Sequence, residues 1–387
     1  MRRNVALRLC HGAGELGVCV RGVRLGCMIK SRREEGMPKA DAMEKLAATG
    51  AWCRRHFAPI YMLFMLILMC ALAWQLRTLP WREAFNSMRS AKLPALLLGI
   101  CGELAVIPLW ALQWCFLTPA THPVRVIVMA EIVTISSAIQ NTVPFFGGPL
   151  SAGVLLRIRA GFANGAVLSL LAMDQLATGI GKAAAIAAAL IAAPLPPIVH
   201  SAAMFLITGV LVLFLVLLAM THASEKIRRL SLSLSKRWRG IFVSVAEWAA
   251  FLEPLRQPKR AVAIVALEIG KKAVDVAAIM AIQYACGIPP SAASAVTIVA
   301  TLGLSTMIQV TPANLGVYEA TVFFVYRSFD ISAANALAAA VLQHFSVLMP
   351  SLGIGYLLIL YRLFYRGGRA PIREDVLKSE QVQWLGQ

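Results

Sequence analysis

Long apolar runs separated by short polar stretches dominate the chain. A helix needs roughly 20 mostly apolar residues to cross the hydrocarbon core of a bilayer. Six segments meet that length: 57–76, 93–117, 165–193, 198–220, 261–285 and 333–361. Two further apolar regions are interrupted. Region 124–160 breaks at Pro144, Gly147, Gly148 and Pro149, and region 292–329 breaks at Pro312, Asn314 and Gly316. The pattern predicts an all-α, polytopic helical membrane protein with about six full spans and two broken, re-entrant helical hairpins. Segment 225–252 carries Trp238, Ile241, Val245, Trp248 and Leu252 at helical spacing behind a run of basic residues. It reads as an amphipathic helix lying on a membrane surface.

Charge orients this pattern. Residues 1–56 hold 12 Lys/Arg, the loop 221–260 holds 9 and the tail 362–387 holds 5, each in excess over its acids. Basic flanks stay cytoplasmic. If region 124–160 crossed once, the basic loop would land outside. If it enters and returns on the cytoplasmic side, and 292–329 does the same from the outer side, 29 Lys/Arg lie inside and 5 outside. The expected location is a bacterial inner (plasma) membrane, with both termini cytoplasmic. The same layout divides the chain into a basic extension 1–56, a first transmembrane repeat 57–193, a second repeat 194–365 containing the loop 221–260, and a cytoplasmic tail 366–387. Residues 1–36 read as disordered or as an extension ahead of a start at Met37 or Met43. Each repeat crosses an odd number of times, so the second is inverted relative to the first. "NTVPFFGG" at 141–148 echoes "QVTPANLG" at 309–316, and Glu103 and Glu268 sit in corresponding spans. Inverted repeats with broken helices are a recurrent carrier architecture.

Composition agrees and excludes other classes. Apolar residues make up 59%, charged residues 14%, and mean hydropathy is +0.71. Soluble domains carry about 25% charged residues. The net charge of +18 belongs to helix ends facing anionic lipid, so nucleic acid is not expected as a partner. The eight cysteines form no CxxC pair, and a disulfide framework is not expected. There is no Walker loop, HExxH or His/Cys cluster with metal-ligand spacing. No cofactor, metal or enzymatic activity is therefore expected.

A charge at bilayer depth is costly and marks a candidate site. "EIGKKAVD" places Glu268, Lys271, Lys272 and Asp275 on one helix face, and the i,i+4 spacing pairs Glu268 with Lys272 and Lys271 with Asp275. Asp174 and Lys182 lie about 12 Å apart along their span, so each needs a partner elsewhere; a lipid phosphate, Glu103 and Glu131 are the candidates for Lys182. In "TPANLGVYEA" the Pro312, Asn314 and Gly316 break frees backbone groups, and a new helix begins near Leu315 with Glu319 in its first turn. That helix end could hold an anion, be capped by Glu319, or leave Glu319 as a proton or cation site. His344 reads as a polar helix contact.

Two stretches carry a resemblance. Residues 311–358, "TPANLGVYEATVFF…", resemble the C-terminal signature of the lysylphosphatidylglycerol synthase transmembrane-domain family, the flippase-like membrane proteins, and 141–179 resemble its first signature. Leu315, Gly316, Val317 and Glu319 match the signature. Ala313-Asn314 stands for its Gly-Gly, Tyr318 for an arginine, Pro149 for a glutamate, Asp174-Gln175 for an acid-arginine pair, and His344 for an arginine. The resemblance covers the membrane part and not the soluble aminoacyl-transferase domain of the full synthase. Synthesis of lysyl-phosphatidylglycerol by that route is therefore not expected of this chain.

The resemblance implies lipid handling: moving a phospholipid, a polyprenyl-linked lipid or a hopanoid across or within the membrane. The leading expectation is a lipid translocator whose site is lined by Glu103, Asp174, Lys182, Glu268, Lys271, Lys272, Asp275, Pro312, Asn314, Gly316 and Glu319. Its partners would be membrane lipids with anionic head groups. Two alternatives stand beside it: a non-transporting membrane partner of a lipid- or glycosyl-modifying enzyme, docking through the loop 221–260, and a proton-coupled small-solute carrier.

Overall fold

The computed structural model divides into two units, Met1–Trp74 and Gln75–Gln387. It describes residues 63, 66, 67, 70, 77, 79–118, 123–143, 147–192, 201, 204–220, 252, 257–307, 309 and 311–365. The extension 1–56, most of span 57–76, the amphipathic segment 225–252 apart from Leu252, and the tail from 366 lie outside the described residues. The second unit carries the helices that position the buried charges.

The described residues of this unit form helices and no strand. In chain order they are α1 (Trp81–Arg89), α2 (Leu93–Leu117), α3 (Val126–Thr142), α4 (Gly147–Ala160), α5 (Asn164–Ala192), α6 (Met204–Met220), α7 (Pro258–Ala285), α8 (Ala292–Ser305), α9 (Val317–Ser328), α10 (Ala333–Leu348) and α11 (Gly355–Tyr365). A 3-10 turn at Pro312–Asn314 precedes α9, and a π-helical turn at Met349–Ile354 joins α10 to α11. Pro350 lies in that π turn, where the regular i→i−4 ladder is already interrupted. Leu93–Leu117, Asn164–Ala192 and Ala333–Phe364 are long and apolar enough to cross a membrane. α7 has the length but carries its charges internally. Large apolar side chains such as Leu98, Ile127, Leu150, Phe324 and Leu357 stay on the outer surface, where lipid rather than water is the natural solvent.

Long-range contacts sort the helix ends. The Lys92 amide donates to Ala285 O, so the start of α2 meets the end of α7, and these two antiparallel helices form the most extensive helix pair. Ser87 Oγ on α1 donates to Asn335 at the start of α10. At the other end Arg260 Nη1 donates to Thr118 O, and Cys115 Sγ reaches Val124 O just before α3. Glu131 near the start of α3 pairs with Arg159 at the end of α4 at 3.2 Å, and with Arg362 near the end of α11. The α3–α4 hairpin therefore enters and leaves at one end of the bundle, the end bearing Arg157, Arg159, Arg260 and Arg362.

The second hairpin enters from the opposite end. Gln283, near the end of α7, holds Ser294 at the start of α8. Tyr326 at the end of α9 packs in the same apolar cluster as Ile282, Ile288 and Ala295. The hairpin tips meet: Gln309 Nε2 donates to Gln140 O at 2.8 Å, and Asn141 Nδ2 donates to Ser351 Oγ in the π turn at 3.2 Å. The charge count asks for two hairpins that each return on their own side, and it says nothing of contact between their tips. The α2–α7 pair depends on small residues. A Cβ on Gly99 would stand 2.8 Å from Ile282 Cγ1 and 3.3 Å from Ala278 O, and one on Gly102 would stand 3.1 Å from Ala278 Cβ. Small residues allow this close approach of membrane helices. Gly99→Val is expected to destabilise the fold by about 1–3 kcal/mol, read as a lowered thermal midpoint in detergent; an unchanged midpoint would show that the two helices do not meet at this glycine.

Candidate functional site

The charges on α7 lie on one face, as the sequence predicts, but pair differently. The spacing predicts Glu268 with Lys272 and Lys271 with Asp275. The structure instead pairs Lys271 Nζ with Glu268 Oε2 at 2.6 Å and Lys272 Nζ with Asp275 Oδ2 at 2.8 Å, both i,i+3. Positions three and four apart are both neighbours on a helix; tertiary partners decide between them. Glu268 and Lys271 turn inward, with side chains 1% and 7% exposed, whereas Lys272 and Asp275 keep 28% and 20%.

The inner pair is built into α2 and α5. Gln113 Nε2 donates to Glu268 Oε2 at 3.2 Å. Lys271 Nζ lies 5.5 Å from the centre of the Trp110 ring, a cation–π contact. Both indoles, Trp110 and Trp114, donate to Asp174 Oδ1 on α5, at 3.1 and 2.8 Å. A buried pair is tolerable only when hydrogen bonds satisfy its remaining valences. Charge alone does not point to this shell. Its signal in the sequence is the polar-tipped set Trp110, Gln113 and Trp114 on α2, at i, i+3 and i+4. Gly181 brings the α5 backbone against the pair, since a Cβ there would stand 2.6 Å from Glu268 Cγ.

Glu103 on α2 and Lys182 on α5 flank the outer pair. Glu103 feels the fields of Asp275 and Lys272, and Lys182 those of Lys272 and Glu268. Neither makes an ion pair or hydrogen bond to a described residue. Glu131 does not serve as partner to Lys182, because two arginines already hold it at the basic end. The Lys182 stem lies on α8, with Gly303 leaving it room: a Cβ there would stand 3.4 Å from Lys182 Cγ.

The break before α9 forms the third part. Ala313 and Asn314 both have left-handed backbone, with φ 53° and 54°, and Gly316 follows at φ 83°. Glycine adopts that region freely and asparagine tolerates it, while alanine pays about 1–2 kcal/mol. The Gly-Gly of the resembled signature thus has a conformational reason. Helix α9 starts one residue after Gly316, whose amide donates to Glu319 Oε2 at 2.7 Å, so Glu319 caps the new helix. The other carboxylate oxygen, Oε1, lies 2.7 Å from His344 Nδ1, and His344 Nε2 lies 2.9 Å from Ala313 O. A carbonyl only accepts, so Nε2 carries a proton, and the Glu319–Nδ1 contact shares one more. Tyr318 stacks flat on His344, ring centres 4.2 Å apart, and its hydroxyl accepts from Gln343 Nε2 at 3.0 Å. Tyr318 and His344 are the two positions where the resembled signature has arginine. Pro312 is exposed on the turn, and Asn314 Oδ1 is buried without a hydrogen bond. Among the described residues no group of three or more His, Cys, Asp or Glu side chains could hold a metal ion.

Glu268→Gln would leave the Lys271 ammonium buried and unpaired. The expected cost is about 3–5 kcal/mol, seen as a lowered thermal midpoint and lower yield of monodisperse protein. The double variant Glu268→Gln/Lys271→Met removes both charges and is expected to recover most of that loss. Equal midpoints for wild type and the single variant would show that the pair does not hold the helices together.

Residues 61–355 match the family model of the lysylphosphatidylglycerol synthase TM region. No curated protein matches the chain. The family match spans more than half of the chain and takes in α1 to α10 with both hairpins. The chain belongs to the lysylphosphatidylglycerol synthase transmembrane-region family and is, at that level, a membrane protein of a lipid-handling family.

Proposed function

We propose that the chain is a flippase-like lipid translocator, carrying a phospholipid, polyprenyl-linked or hopanoid lipid between leaflets. The observation that carries this reading is the pair of ionisable groups without partners among the described residues, Lys182 and Glu103, beside the partly exposed Lys272–Asp275 pair. An unpaired ammonium at bilayer depth is stable only against a counter-charge or water. A lipid phosphate supplies that counter-charge to Lys182, with Lys272 as the second cation. Glu103 and Asp275 set the opposite wall and take up an amine or hydroxyl of the head group. Glu268, Lys271, Asp174 and Trp114 are too enclosed to meet substrate and act as scaffold. The meeting hairpin tips at Gln140 and Gln309 separate the two ends of the bundle. In this reading, exchange of that contact exposes the central charges alternately to each leaflet. Glu319, Pro312, Asn314 and Gly316 form the hinge of the second hairpin. The buried His344–Glu319 hydrogen bond at that hinge keeps a proton-coupled carrier as a second reading.

Reconstitution tests the assignment. Protein in liposomes is expected to move head-group-labelled lipid from one leaflet to the other faster than protein-free vesicles. Lys182→Gln and Glu319→Gln are each expected to lower the rate at least roughly tenfold, about 1.4 kcal/mol of barrier, at unchanged insertion. Glu83→Gln, on the first turn of α1, should leave the rate alone. Unchanged rates in both site variants would remove these residues from the transport path. Absence of movement for phospholipid and polyprenyl phosphate alike would overturn the translocator reading.

A further inference from the structure

An open groove of about 540 Å³ lies between α2, α3 and α11, apart from the central charges. Its walls are apolar, from Leu104, Ile107, Pro108, Ile127, Ile354 and Leu358, and Glu131 is its only carboxylate among the described residues. The volume falls in the ordinary range for ligand sites. Leu104 and Ile127 are largely exposed, so the groove opens sideways to the bilayer and not into the bundle.

Its charged lining residue, Glu131, is backed by two arginines that lie just outside the lining. Glu131 is held by Arg159 at 3.2 Å and by Arg362, two guanidinium groups against one carboxylate. Both arginine side chains are about a quarter exposed or less, and Arg159 Nε is buried without a hydrogen bond. One positive charge is left over beside Glu131, next to the apolar trough. Guanidinium forks bind phosphate oxygens in pairs, and basic pockets between membrane helices collect anionic head groups. The geometry points to a resident anionic phospholipid here, its phosphate on Arg159 and Arg362 and an acyl chain along Ile107, Pro108, Ile127 and Leu358. This lipid is distinct from the transported one. It ties the first hairpin to the last helix, since Arg159 lies on α4, Glu131 on α3 and Arg362 on α11. Glu131 competes with the phosphate for the two arginines, so the occupied site should depend inversely on that carboxylate.

Native mass spectrometry of the full chain reads this directly. Delipidated protein is mixed with equal amounts of phosphatidylglycerol and phosphatidylcholine. Wild type is expected to retain phosphatidylglycerol roughly tenfold better, the ratio that about 1.4 kcal/mol gives. Arg159→Gln/Arg362→Gln should bring the ratio near one, and Ala105→Trp, filling the trough, should lower retention of both lipids. Glu131→Gln frees both arginines and should raise phosphatidylglycerol retention, whereas a purely structural clasp would only lose stability. Glu83→Gln, on the first turn of α1 and outside the groove lining, should leave the ratio unchanged. Excess inorganic phosphate should not displace the lipid. Equal retention of the two lipids by wild type, or a preference that survives the double arginine variant, overturns the proposal. If the double variant does not fold, the Ala105→Trp and Glu131→Gln results decide it by the same signs.

Discussion

In a bilayer every backbone N–H and C=O that a helix break releases must find a protein partner, and the whole arrangement follows from how two breaks meet that demand. At the second break Glu319 takes the Gly316 amide and His344 meets Ala313 O. Thr311 Oγ1 donates to Leu315 O. At the first, Gln140 O, in the last turn of α3, accepts from Gln309 Nε2 of the other hairpin. Each hairpin therefore completes the other or is completed by α10. The tips cannot be placed in lipid separately, and this is why they lie together in the middle of the bundle.

The central charges obey the same logic with larger energies. Glu268 and Lys271 are buried and meet the Gln113 amide and the Trp110 face from α2. Lys272 and Asp275, one step around the helix, remain partly open. One helix thus carries a sealed pair and an accessible pair side by side. The sealed pair fixes α7 against α2 and α5; the accessible one borders Glu103 and Lys182, which form no ion pair among the described residues.

Much of this is legible in the sequence. The span 93–117 coincides with α2, spans 165–193 and 261–285 fall within a few residues of α5 and α7, and both breaks sit where proline and glycine place them. Lys/Arg asymmetry requires two same-side hairpins, and Arg159 and Arg362 do meet at one end. What is not legible depends on tertiary partners. Spacing alone suggests i,i+4 ion pairs on α7, and the choice of i,i+3 comes from Gln113 and Trp110 on another helix. The Glu131 clasp joins residues 131, 159 and 362, which no local pattern links. Tyr318 stacks on His344, so the two positions where the signature has arginine meet in space, which no local pattern shows.

The central claim is that both broken regions are re-entrant and enter from opposite ends. Single cysteines at Pro123, Ala163, Pro290 and Asp330, in protein whose native cysteines are replaced, bracket the two hairpins. Labelling in oriented vesicles with a membrane-impermeant maleimide tests it. The expected result is that 123 and 163 react from one face and 290 and 330 from the other. Reaction of 123 and 163 from opposite faces would make the first region a plain crossing and contradict the account.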